Sequence, residues 1–151
     1  MSQEPFDGDP KLMLALCRIT LLTEPDAIRA SARDFAVGLA VPVFVVDRAG
    51  NLSFYNEAAG TLLGLSFEQA GEMSSVRWSL AFDPKDEHGR PIAPPDLPLV
   101  VALDERRPAH RKLSIVAAGG TRRTVEITAF PLLGADSRHH GAVAVFWETK
   151  N

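Results

Sequence analysis

The stretch Val41 to Gly64, VPVFVVDRAGNLSFYNEAAGTLLG, constrains the fold of this chain more than any other. The apolar run Val41–Val46 reads as a strand. It stops at Asp47-Arg48-Ala49-Gly50, a tight turn, and a second extended run follows from Asn51 to Tyr55. Asn56 stands where a helix N-cap belongs. Glu57–Leu63 then supplies about two helical turns before Gly64 stops them.

This pattern of proline and apolar strand, Asp-x-x-Gly, a short strand ending in Asn, then Ala-Ala and Leu-Gly, resembles the opening of a PAS domain. The resemblance extends over about Val41 to Glu148. It implies an α+β fold: a five-stranded antiparallel sheet in the order 2-1-5-4-3, short helices on one face, and here two extra N-terminal helices. It also implies a sensory or interaction module, without naming what is sensed.

The chain divides accordingly. Residues 1–9 are polar, with Pro5 and Gly8, and read as a flexible lead-in. Residues 10–40 read as a helical extension, 41–148 as the PAS domain and 149–151 as a tail. Lys11–Leu22 is a helix whose only charges are Lys11 and Arg18. A helix apolar on most of its circumference must be covered on more than one side. Its own fold could cover it if the helix is sunk deep; a second protomer could cover the remaining side, and a homodimer is the expectation, with Leu12, Met13, Leu16, Ile19 and Thr20 as interface candidates. A second helix starts at Thr23-Glu24-Pro25-Asp26 and carries an apolar stripe at Ile28, Ala32, Phe35 and Leu39.

Downstream, Ser66-Phe67-Glu68-Gln69 is a capping box closed by Gly71. Ser74–Phe82 is ambiguous: Trp78, Leu80 and Phe82 alternate, whereas a PAS domain has a short helix there. Asp86-x-x-Gly89-Arg90-Pro91-Ile92 resembles a loop of bacterial PAS domains. Pro94-Pro95-Asp96 starts a longer helix that runs to Glu105. His110–Ile115 and Arg122–Phe130 make a hairpin around Gly119-Gly120, and Pro131 ends its second strand. Gly134–Gly141, with His139 and His140, reads as a turn, and Ala142–Trp147 as the last strand. That strand and Val41–Val46 are apolar on both faces, as suits the middle of a sheet covered on both sides.

The chain has 151 residues, a net charge of −3 and 46% hydrophobic content, which suits one domain with a sizeable core. Its basic doublets, Arg106-Arg107 and Arg122-Arg123, do not extend into a patch, so nucleic acid is not expected as a partner. The acidic start is unlike a signal peptide, and Leu12–Leu22 is too short to span a bilayer, which takes about 20 residues. No membrane association is expected, and a cytoplasmic location is the default. Cys17 is the only cysteine, so no internal disulfide can form.

Motifs for phosphate cradles, nucleophile elbows and zinc-dependent hydrolysis are missing, and no enzymatic activity is expected. No metal site is expected either. The resemblance raises three ligand chemistries. Haem would need a ligand such as His88, with Trp147 on the last strand. LOV-type flavin chemistry would need a cysteine in an Asn-Cys-Arg-Phe setting, which Cys17 lacks. A small apolar ligand would need a space lined by Phe44, Phe54, Leu63, Trp78, Leu99, Leu103, Ile127 and Phe146, with Tyr55, Asn56, Arg111, Ser114 or Thr128 supplying polarity. A filled core with no cofactor is the expectation. Trp147-Glu148-Thr149 stands where PAS domains that feed an effector carry Asp-x-Thr. The start at Met1 and the lack of an evident tag favour a stand-alone protein whose output is a separate signalling partner, a kinase or a regulator.

Overall fold

The computed structural model of the chain describes residues 25–133 and 139–149. The expected helix Lys11–Leu22, with its five interface candidates and Cys17, lies outside the described residues. The second expected helix is present as α1, Pro25–Val37.

The opening hairpin forms as read: β1, Val43–Val46, pairs antiparallel with β2, Leu52–Tyr55. Its turn is built by Asp47, whose Oδ1 accepts from the Ala49 and Asn51 amides at 2.9 Å each. Gly50 closes it at φ 85°, a left-handed conformation that costs glycine little. Asp86-Glu87-His88-Gly89-Arg90 repeats the device. There Asp86 Oδ1 accepts from the His88 and Arg90 amides at 2.8 and 3.0 Å, and Gly89 has φ 76°. Two Asp-x-x-Gly texts therefore give the same turn for the same reason: a short carboxylate can satisfy the amides that the reversal exposes.

Three short helices follow: α2, Glu57–Leu63; α3, Phe67–Ala70; and α4, Ser75–Phe82. The Ser66–Gln69 capping box is formed in both directions. The ambiguous stretch is helical because Ser74 caps it by accepting from the Arg77 amide, and because Trp78 alone of its apolar residues is buried. The longer helix starts later than expected. Pro94–Asp96 is a separate 3₁₀ turn, Leu97 is extended at ψ 137°, and α5 runs from Pro98 to Glu105. Leu97 precedes Pro98, and a residue before proline is pushed out of the helical region.

The strands β3, Ala109–Val116, β4, Arg122–Leu133, and β5, His139–Glu148, complete a five-stranded antiparallel sheet in the order β2-β1-β5-β4-β3. Pro131 does not end β4. The strand continues through it to Leu133, with an irregularity in register between Pro131 and Leu133 that accommodates the missing amide. His139 and His140 accordingly belong to β5, not to a turn, and His140 is buried.

Both faces of the central strands are covered, but by different layers. Phe44, Val46, Ala142, Ala144 and Phe146 face a core under α2–α5. Val43, Val45, Val143 and Val145 face the other way, onto Ala32, Ala36, Phe35 and Leu39 of α1 and the segment after it. Where the chain leaves β5, Glu148 pairs with Arg123 at 3.0 Å and the Thr149 amide donates to the Thr124 carbonyl at 2.9 Å. No helix among the described residues is long and apolar enough to cross a membrane.

Candidate functional site

The inner face of the sheet holds a cavity of about 40 Å³ between β3, β4, β5 and α4–α5. Phe44 is its central ring, 4.8 Å from the Phe146 centroid in an edge-on contact and 5.6 Å from Phe82. Leu97, Pro98 and Leu99 line the side towards α5, and Leu113, Ile115, Ile127 and Ala144 form the sheet side. Trp78 closes one end, and its indole N–H donates to the buried Gly50 carbonyl at 2.9 Å. No other lining side chain carries a hydrogen-bonding group. The wall of Phe82 and Pro84 flanks Asp83, which adopts a left-handed conformation at φ 42°. The Arg122 guanidinium holds that corner, with Nη2 on Asp83 Oδ2 at 2.7 Å and Nη1 on the Asp83 carbonyl at 3.1 Å.

Of the pocket candidates read from the sequence, Phe44, Trp78, Leu99, Ile127 and Phe146 line this cavity. Leu63 and Leu103 are buried in the same core but do not line it. Phe54 lies on the opposite face, against α1, with the Arg33 guanidinium 4.7 Å above its ring. Tyr55 is buried and its hydroxyl donates to the Leu65 carbonyl. Burial, and then the nearby Glu68 carboxylate, push its pKa above the usual phenol value. Ser114 is taken up by Arg122 at the edge of β3. Arg111 lies beside α5, among Pro98, Val101 and Glu105 rather than in the cavity. Thr128 is on the outer face, bonded to His110 at 2.7 Å. Asn56 is a helix cap, with more partners than a cap needs.

The lining residues missed by sequence reasoning are Phe82, Pro84, Leu97, Pro98, Leu113, Ile115 and Ala144. Leu113 and Ile115 could have been found from period-2 alternation once β3 was paired with β4. Leu97 and Pro98 were hidden by the late start of α5.

The inner cavity does not fit a haem or a flavin. Small-molecule sites enclose roughly 300–1,000 Å³ and converge a few polar groups, whereas this cavity is about 40 Å³ and apolar. His88 is exposed on the Asp86–Arg90 turn. Trp147 neighbours Phe146 on β5 and so points to the opposite face, where its ring centroid is 6.0 Å from that of His110. Among the described residues, no three His, Cys, Asp or Glu side chains converge as a metal site.

A single antiparallel sheet in the order β2-β1-β5-β4-β3, with short helices over a small apolar cavity on one face and a helix on the other, is the arrangement of a PAS-type domain. The comparisons agree. A family profile described as PAS fold matches residues 38–151. Solved PAS structures superpose on the chain at low identity. The PAS domain of nitrogen regulation protein NR(II) from Vibrio parahaemolyticus has 16% identity and a TM-score of 0.57, covering 78% of this chain and 97% of that one. The PAS domain of Bordetella pertussis BvgS has 15% identity and a TM-score of 0.54, covering 80% and 84%. A LOV protein from Rhodobacter sphaeroides has 15% identity and a TM-score of 0.62, covering 79% and 66%. No curated protein matches the chain. The chain belongs to the PAS family, whose domains are typically sensory modules of signalling proteins.

Proposed function

We propose that this chain is a cytoplasmic sensory or signalling module without catalytic activity, acting through dimerisation and contact with a separate kinase or regulator. The observation that carries this reading is the nearly filled, apolar inner core. A core packed this tightly transmits displacements rather than storing a large cofactor. The apolar Lys11–Leu22 segment supports homodimerisation. Native mass spectrometry of the untagged protein tests the dimerisation and the empty core: bare dimers support both, and monomers of unchanged mass reject the dimer. Leu16→Glu should convert dimer to monomer, and an unchanged elution volume rejects pairing through that segment.

A second reading, a receptor for a small apolar ligand, is favoured by the cavity itself. A ligand larger than a few atoms would have to displace the Phe82–Pro84 wall. Added mass on the native protein would support the receptor reading over the adaptor.

A further inference from the structure

Asn56 is 3% exposed and uses every polar group it has. Its Oδ1 accepts from the Ala59 amide of α2 and from the Val43 amide of β1, both at 3.0 Å. Its Nδ2 points the other way, at the carbonyls of Ala36 (3.0 Å), Leu39 (3.3 Å) and Val41 (2.8 Å). Capping a helix requires only the acceptor, and Asp or Ser would serve that purpose about as well. The amide half does something else. It gathers carbonyls at the end of α1 and in the link to β1, of which Ala36 also accepts the Leu39 amide at 3.1 Å. Only an amide presents an acceptor to one side and two donors to the other at this position.

The two halves meet different layers of the molecule. The acceptor half grips Val43, whose neighbour Phe44 is the central ring of the cavity. The donor half grips the end of α1, whose Ala32 and Ala36 seal the outer face of the sheet over Val43, Val45, Val143 and Val145. In the link itself Gly38 and Ala40 are exposed, while Leu39 and Val41 pack on the outer core and the Pro42 carbonyl accepts the Phe146 amide at 3.0 Å.

We propose that Asn56 is a two-sided latch: its donor half holds α1 on the sheet as a separable unit, and its acceptor half makes that hold depend on the position of β1. Displacement of Phe44 and Val43 on one side of the sheet then loosens α1 on the other, whatever the displacing agent is.

Asn56→Asp separates the halves. It keeps the acceptor for Val43 and Ala59 but turns a second acceptor towards three carbonyls. Asn56→Ser also keeps a cap oxygen, removes the donors and adds no charge. The readout is hydrogen exchange by mass spectrometry on the full chain, comparing peptides of residues 30–41 with those of α2 and β5. The expected result for both variants is exchange at least about tenfold faster over residues 30–41, as the loss of a buried hydrogen bond implies, with α2 and β5 changed by less than about threefold. Uniform acceleration, acceleration confined to α2, or no change would overturn the proposal. If neither variant folds, native-state exchange of the unaltered protein in low urea decides. Residues 30–41 should open before α2 and β5, and opening only together with them would overturn the latch.

Discussion

Trp78→Phe isolates what holds α4 over the cavity. The indole N–H is the partner of the Gly50 carbonyl at 2.9 Å, and both groups are buried. Phenylalanine leaves that carbonyl unpaired, which costs about 1–3 kcal/mol. The smaller ring also enlarges a cavity that is already about 40 Å³. The lost contacts and added void cost about 1 kcal/mol more, at about 24 cal/mol per Å³ of cavity. The expected loss is therefore about 3 kcal/mol, or a Tm lower by about 10 °C in a domain of this size. Urea unfolding followed by far-ultraviolet circular dichroism measures it. Val76→Ala on the same helix is the control: Val76 is 67% exposed, and its truncation should stay within about 0.5 kcal/mol. Tryptophan emission supplies a second reading, since Trp78→Phe should remove the buried, blue-shifted component and leave the half-buried Trp147. A Trp78→Phe loss no larger than that of the control would refute the reasoning, because α4 would then not be anchored to the β1–β2 turn.

Gly141→Ala should destabilise by about 3 kcal/mol or prevent folding. Its Cβ would lie 2.1 Å from the Val46 carbonyl oxygen, and Gly141 has φ 125°; a soluble variant with an unchanged Tm would contradict the β1–β5 contact. The amide of Arg90, followed by that of His88, holds the Asp86 carboxyl below the usual carboxylate range. A lowered pKa in the folded state contributes stability that is present above the ordinary carboxylate pKa and lost as pH falls through the folded value. Asp86→Asn, which keeps an acceptor oxygen but not the charge, should lose that acid dependence, and urea midpoints that track wild type at every pH would exclude the effect. The Tyr55 phenol is raised by burial and then by Glu68. Its contribution is therefore present below the ordinary phenol pKa and lost as pH rises above it. Tyr55→Phe should cost about 1 kcal/mol near neutrality by removing the bond to Leu65 and should unfold less steeply in alkali. The same alkaline slope in both proteins would argue against a buried phenol.

The parts of this fold that were legible in the sequence are those where local chemistry and tertiary packing agree. Asp47 and Gly50, Asn56 and Gly64, and Ser66 and Gln69 each dictate a backbone reversal or cap by themselves, and each forms as read. The double-sided apolarity of Val43–Val46 and Ala142–Phe146 announced two central strands. What was not legible depends on partners distant in sequence. Nothing local tells that β4 continues through Pro131, because the strand is sustained by its register with β5. Nothing local assigns Phe54 to the outer face and Phe44 to the cavity either. That assignment follows from the pleat, since Phe44 pairs with Tyr55 and Val45 with Phe54, so the two phenylalanines fall on opposite sides.

The same pleat argument bears on how a module of this kind can work. The sheet is one residue thick, so successive residues of β1 belong alternately to the cavity and to the seat of α1: Phe44 and Val46 to one, Val43 and Val45 to the other. A strand cannot shift along its axis for one face alone, and close packing leaves little room to absorb the shift locally. Any change that moves Phe44 therefore moves the seat of α1. The outcome then depends on whether the end of α1 is tied to β1 or free of it. Asn56 ties it, at a position where a cap alone would not require an amide. Asn56 thus adds a polar tie between β1 and the end of α1 to the apolar seat of that helix, and its share of the coupling can be tested without knowing the signal.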